Sequence, residues 1–180
     1  YNAGRLAEAL KLARLLTAGH PASQMPWKVQ GSVLRILGQL DGALDANQKA
    51  VQLKPDDAEA HYNLANVLKE MERFEDAKES YSNAITNKPC FAEAHYNLGN
   101  LFLEQDEVAQ AEHHYEHAVT LRPNFAEAFS NLGSTYAQLG KMKKAKECLE
   151  KAIGLNPKVV EAHRHLSTLK TFTSKDEQLS

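Results

Sequence analysis

Ala58-Glu-Ala-His-Tyr-Asn-Leu64 returns as Ala92-Glu-Ala-His-Tyr-Asn-Leu98, and again as Ala126-Glu-Ala-Phe-Ser-Asn-Leu132. A weaker copy begins at Val160-Glu-Ala-His163. Successive copies lie 34 residues apart, and one proline and one alanine keep the same interval. These are Pro55, Pro89, Pro123 and Pro157, and Ala43, Ala77, Ala111 and Ala145. A fixed period of this length predicts stacked copies of one supersecondary unit rather than separate domains.

Each copy holds two helical patterns. In the copy that starts at Ala58, the first has apolar or large residues spaced 3, 1 and 3 apart, at His61, Leu64, Ala65 and Leu68. The second has them spaced 4 and 3 apart, at Ala77, Tyr81 and Ala84. Both spacings place the residues on one face of an α-helix. Gly38 and Gly140 lie at the corner between the patterns, where a chain leaves a helix through a left-handed residue. Each proline then ends a unit, because it cannot continue a helix.

The composition agrees with an all-α chain. The 180 residues include 25 Ala and 23 Leu but only 8 Val and 3 Ile, so helix formers far outnumber β-branched residues. The net charge of −2 gives no reason to expect nucleic acid or an anionic membrane as a partner. No apolar run reaches the roughly 20 residues of a transmembrane helix. The two cysteines are too few for a disulfide framework, so we expect free thiols and, with them, a cytoplasmic location.

The repeat closely resembles the tetratricopeptide repeat. The copy from Ala92 supplies the family pattern with His95, Leu98, Gly99, Phe102, Ala111, Tyr115, Ala118 and Pro123. Only His95 departs, since it stands where another large side chain is usual. The copy that ends at Pro55 is looser, because Gln30 and Asn47 do not fit. The resemblance implies a right-handed α-solenoid of tandem helix-turn-helix repeats.

The period also predicts the limits of the units. Residues 1–23 match the second helix of a partial repeat, and the whole repeats are 24–57, 58–91, 92–125 and 126–159. Residues 160–171 form a capping or solvating helix, and residues 172–180 a tail. Since the chain starts at Tyr1 and its last repeat stops after one helix, we expect it to be cut from a longer protein.

The surface predicted to bind a partner is the polar stripe on the first helix of each repeat. In a tetratricopeptide array the first helices line a concave groove. The stripe and the asparagines beside it supply the candidate residues Tyr62, Asn63, Asn66, Lys69, Tyr96, Asn97, Asn100, Asn131 and Ser134. An amide both donates and accepts, so a row of them pairs with the backbone of an extended peptide. The resemblance implies the same use, because O-linked N-acetylglucosamine transferases carry an asparagine ladder at this place.

We therefore expect a non-catalytic scaffold, with no cofactor, that binds an extended peptide or a partner helix. Exposed ends of such arrays stack readily, so the sequence leaves self-association open. The groove stripe does not match the carboxylate clamp of co-chaperones, because the second and third copies lack its cations. The column of Glu59, Glu93, Glu127 and Glu161 is interpreted through the helix dipole, which favours acids in the first turn.

Two features raise other functions. His113-His-Tyr-Glu116-His117 fits the pattern of inverted zinc proteases, but the repeat places these histidines at variable outer positions. We expect neither catalysis nor a metal site there. The segment Ala162–Thr173, followed by Asp176, resembles the junction before a sulfotransferase domain in bacterial repeat proteins. The alternative function is therefore a substrate-docking arm of a larger sulfotransferase or glycosyltransferase.

Overall fold

The structure is a computed structural model that describes the backbone of residues 2–178 and the side chains of residues 4–169. These residues form ten α-helices and no strand, as the fold class predicted from the sequence requires. The helices belong to two compact units, one ending at Pro89 and one beginning at Cys90. None of the helices in the described part of the chain is both long and apolar enough to cross a bilayer.

The first unit contains five helices. They are α1 (Asn2–Gly19), α2 (Gln24–Ile36), α3 (Leu40–Leu53), α4 (Ala58–Glu70) and α5 (Phe74–Asn87). Each helix packs against the next along the chain, and α2 also lies against α4. Asp57 caps α4, because its side chain accepts hydrogen bonds from the backbone N–H groups of Glu59 and Ala60 at 2.9 and 3.1 Å.

The second unit repeats this arrangement. Its helices are α6 (Ala92–Glu104), α7 (Val108–Leu121), α8 (Ala126–Gln138), α9 (Met142–Leu155) and α10 (Val160–Gln178). Successive helices pack together, and α8 also contacts α10. The centre of the unit is a cluster of buried side chains that includes Tyr115, Phe129, Leu132, Tyr136 and Leu149. In both units, therefore, a first helix lies beside another first helix.

Every corner between a first and a second helix turns through one left-handed residue. Gly38 and Gly140 have φ of 70° and 72°, which confirms the role predicted for them. The residues at the same repeat position in the other two copies, Glu72 and Asp106, have φ of 58° and 61°. The corner geometry is thus kept even where the sequence supplies no glycine.

Small residues let the two helices of a pair approach closely. A Cβ atom added to Gly99 would lie 2.8 Å from Cε1 of Tyr115, and one added to Gly133 would lie 2.7 Å from Cγ of Leu149. In the first unit, Gly31 faces Asn47 in the same way, at 2.6 Å from Nδ2. Asn47 therefore occupies the core position of the aromatic residue, although the sequence marked it as a misfit.

The C-terminal helix is longer than the sequence predicted. We expected a helix over residues 160–171 and a tail over 172–180, but α10 runs to Gln178. The segment contains neither proline nor glycine, so nothing in its backbone chemistry ends the helix at residue 171. Residues 179 and 180 lie outside the described residues.

Candidate functional site: the faces of the first helices

In the second unit, three of the predicted groove residues, Tyr96, Asn100 and Asn131, join Tyr115 in a connected hydrogen-bond network. Tyr115 donates its phenol hydrogen to Oδ1 of Asn100 at 2.7 Å. Nδ2 of Asn131 donates to the same Oδ1 at 2.9 Å and to the Tyr96 hydroxyl at 3.3 Å. We call Tyr96, Asn100, Tyr115 and Asn131 the amide network. It joins α6, α7 and α8, so the fold fixes the orientation of these amides.

The aromatic members of the network are held by neighbouring rings. The Tyr96 ring lies 4.8 Å from that of Phe125 and 6.0 Å from that of Tyr115, measured between centroids. Burial raises the pKa of Tyr96, and the negative charge of Glu127 raises it further. Burial likewise raises the pKa of Tyr115. Both phenols therefore stay protonated at neutral pH and act as hydrogen-bond donors and acceptors.

Two surface depressions flank Asn131. One, of about 390 Å³, is lined by Asn100, Leu103, Glu104, Tyr115 and Asn131. The other, of about 200 Å³, is lined by Tyr96, Glu127, Ser130, Asn131, Val159 and Glu161. We call the second the acidic depression. Sequence reasoning missed Glu104 and Val159 and gave Glu127 and Glu161 only a structural role, because it considered one helix at a time.

The first unit presents a smaller version of the same chemistry. Tyr81 donates its phenol hydrogen to Oδ1 of Asn66 at 2.6 Å, and its ring lies 5.8 Å from that of Tyr62. The predicted groove residues Asn63 and Lys69 are half-buried. Asn97 and Ser134 are also half-buried, on the first helices of the second unit.

Lys28, the cation of the first copy, is used inside the fold. Its side chain is buried, and Nζ lies 3.1 Å from Oδ2 of Asp57 and 2.8 Å from Oε2 of Glu59. The pKa of Asp57 is lowered because Lys28 and two backbone N–H groups stabilise its charged form, outweighing the opposing effect of burial. Lys28 is therefore part of a structural ion pair that links α2 to the start of α4.

The histidines of the zinc-protease pattern belong to a histidine cluster of His95, His113, His114 and His117. Nδ1 of His95 lies 3.2 Å from Nδ1 of His114, and the His95 ring stacks on His117 at 5.0 Å between centroids. Burial and electrostatic repulsion from the other three histidines together lower the pKa of His114 to about 4. Among the described side chains, no group of three or more His, Cys, Asp or Glu residues is arranged to hold a metal ion.

Two other histidines, His61 and His163, occupy equivalent positions in their repeats and form hydrogen bonds to the loop before their helix. Nε2 of His61 lies 2.8 Å from the carbonyl oxygen of Pro55, and Nε2 of His163 lies 3.0 Å from that of Pro157. His61 is buried, whereas His163 is exposed. The ring fastens the start of a first helix to the proline loop before it.

The comparisons with known proteins assign the class. Models described as TPR repeat and tetratricopeptide repeat match residues 31–72, 58–89, 92–125 and 126–159, which is well over half of the chain. The helix pairs, corners and proline loops are those of a repeat protein of the α-solenoid class. The chain belongs to the tetratricopeptide-repeat family.

Solved structures agree with the fold. The crystal structure of MamA has a TM-score of 0.79 at 23% identity, covering 87% of this chain and 92% of that one. The structure of YrrB, described as a TPR protein with an unusual peptide-binding site, has a TM-score of 0.73 at 23% identity. That comparison covers 91% of this chain and 84% of YrrB. No curated protein sequence gives a significant match.

Proposed function

We propose that the chain is a non-catalytic interaction scaffold that binds an extended peptide along the first helices of its repeats. The amide network of the second unit carries the proposal. Its amides are held in place by tyrosines, and surface depressions lie on both sides of Asn131. A preorganised polar surface loses little conformational entropy when it binds, which favours recognition of a flexible ligand.

The hydrogen-bonding atoms that the amide network does not use can pair with a peptide backbone. Asn131 uses its amide hydrogens within the network, and its Oδ1 accepts no hydrogen bond from the described side chains. A backbone N–H of an extended peptide is a natural donor for this oxygen. Contacts of this kind read the backbone rather than the sequence, so specificity has to come from side chains that enter the neighbouring depressions.

The similarity to YrrB supports the same conclusion at the level of the fold. That protein is described as peptide-binding, and its chain superposes on most of this one. Tetratricopeptide repeats are interaction modules in general, which agrees with a scaffold role. The first unit would contribute Tyr62, Asn63, Asn66 and Lys69 to binding.

A displayed library of short linear peptides, selected on the purified chain, provides the probe. The triple variant N63A/N97A/N131A should weaken binding of the selected peptide by at least tenfold, because each lost amide contact is worth about 1 kcal/mol. Affinity is measured by fluorescence anisotropy, and circular dichroism checks that helix content is unchanged. N83A, on the second helix α5, is the matched control and should bind normally.

Two results would contradict the proposal. One is a library that yields no peptide above background. The other is a triple variant that keeps both its helicity and the wild-type affinity.

A further inference from the structure

The acidic depression has a charge that the fold does not neutralise. A glutamate of the column described above stands in the first turn of α4, α6, α8 and α10. Glu59 accepts a hydrogen bond from Lys28 at 2.8 Å, and Glu93 pairs with Arg122. Neither Glu127 nor Glu161 has an ion-pair partner among the described side chains. Two members of one repeated column thus lack the cation that the others have.

The repeat register explains the missing cation. Arg122, which pairs with Glu93, stands just before Pro123, and the residue 34 positions later is Asn156. Asn156 is not a cation, and its Oδ1 accepts a hydrogen bond from the backbone N–H of Lys158 at 3.1 Å. Glu127 is therefore left facing the depression without the arginine that its predecessor uses. No Lys or Arg lies among the residues that line the depression.

A second observation, independent of the carboxylates, comes from Ser130. Its side chain is 2% exposed, and its Oγ has no hydrogen-bond partner among the described residues. An unsatisfied buried hydroxyl costs about 1–3 kcal/mol. Ser130 lines the same depression as Glu127 and Glu161. A ligand donor in the depression would supply the missing partner.

We propose that the acidic depression receives a cationic side chain, of lysine or arginine, from the peptide that binds along the second unit. This inference rests on the proposed function and adds the chemistry of its ligand. The carboxylates of Glu127 and Glu161, Oγ of Ser130 and Oδ1 of Asn131 are all acceptors, and ammonium and guanidinium groups are donors only. Hydrogen bonds to a charged donor are roughly twice as strong as neutral ones.

The size and wall of the depression favour a side chain over a free ion. Its volume of about 200 Å³ exceeds the ~30 Å³ of one water molecule several times over. The buried side chain of Val159 gives one apolar wall, against which the methylene stem of Lys or Arg can pack. A bare cation would gain nothing from that wall.

The test compares two selections from the peptide library. Peptides selected on the wild-type chain should share a Lys or Arg at one fixed position, and selection on E127Q/E161Q should lose this preference. E147Q/E150Q, which removes the same charge from α9 outside the depression, is the matched control and should keep it.

Binding of one selected peptide then measures the coupling directly. Replacing its shared cation by norleucine should weaken binding to the wild-type chain by about tenfold, and much less to E127Q/E161Q. S130A should weaken the cationic peptide but not the norleucine peptide, while the melting temperature stays equal or rises, because a buried unsatisfied hydroxyl is removed.

The outcomes separate this inference from the proposed function. Two results would overturn the inference alone. One is a set of selected peptides whose binding depends on Asn131 but that share no cation. The other is a norleucine substitution that weakens binding equally to the wild-type chain and to E127Q/E161Q. A library that yields no peptide would overturn the proposed function and the inference with it.

Discussion

At the scale of single residues, the repeat position of a residue sets the environment of its side chain. Asn47 stands where the next two copies have Tyr81 and Tyr115 and the fourth has Leu149. It is 1% exposed, and while its Nδ2 donates to the carbonyl oxygen of Ala43 at 2.9 Å, its Oδ1 has no partner among the described residues. The position is thus built for an apolar or aromatic side chain.

We expect N47L to raise the free energy of unfolding by about 1 kcal/mol, because a buried unsatisfied oxygen is replaced by apolar volume. The fourth copy shows that a leucine fits opposite a glycine here, since Leu149 is fully buried against Gly133. Urea denaturation followed by circular dichroism measures the change. The reverse variant L149N should lose about 3 kcal/mol; a less stable N47L would show that the asparagine is structurally required.

At the scale of the elements, the corners keep the same backbone conformation even where the usual glycine is absent. Glu72 adopts the left-handed conformation that Gly38 and Gly140 adopt at the same position of their copies. A side chain in this conformation costs about 1 kcal/mol, which glycine avoids.

E72G should therefore stabilise the chain by about 0.5–1 kcal/mol, as read from the thermal unfolding midpoint. E79G, in the interior of α5, is the control and should destabilise by about 1 kcal/mol, because glycine is a poor helix former. If both variants lose stability alike, the corner is not strained by Glu72.

Helix pairs depend on close approach at the small residues. G133A would place a Cβ atom 2.7 Å from Cγ of Leu149 and 3.2 Å from the carbonyl oxygen of Ala145. We expect a loss of about 1–3 kcal/mol, since a backbone atom cannot move aside cheaply. G154A lies on the same helix pair with nothing within 4 Å, and should gain about 0.5–1 kcal/mol. Equal effects in chemical denaturation would contradict the packing explanation.

At the scale of the whole molecule, the net charge does not indicate how the charged side chains are distributed over the surface. A charge of −2 over 180 residues suggested no preferred ligand charge. Yet the acidic depression collects two unpaired carboxylates with no lining cation, while Lys28 and Arg122 are used in ion pairs elsewhere. The fold, and not the composition, decides where unpaired charges lie on the surface.

The histidine cluster makes the stability of the chain depend on pH. The pKa of His114 is about 4 in the folded chain, below the 6.5 of an unperturbed histidine, so the unfolded chain binds its proton first as the pH falls. The stabilisation is complete above pH 6.5 and is lost as the pH falls towards 4. Because His114 is only half-buried, solvent screening limits the effect to about 1–2 kcal/mol.

H114S should therefore narrow the difference in melting temperature between pH 7 and pH 5. Serine is the residue at this position in the preceding copy, Ser80, so the substitution suits the repeat. The difference between the two pH values is the quantity to compare, because the variant also loses the stacking of His114 on Phe102. An unchanged difference would show that another group governs the acid sensitivity.

The sequence alone determined the class of fold, the helix pairs, the corners at Gly38 and Gly140 and the polar stripe of the first helices. These follow from a 34-residue period, because periodicity fixes which residues share a face. Only the tertiary structure decided which side chains on these faces contact one another. The hydrogen bonds from Asn131 to Asn100 and Tyr96 and the ion pair between Lys28 and Glu59 join residues of different repeats. Such contacts depend on how the helices of one repeat pack on those of the next, and the pattern within a single repeat carries no record of that packing.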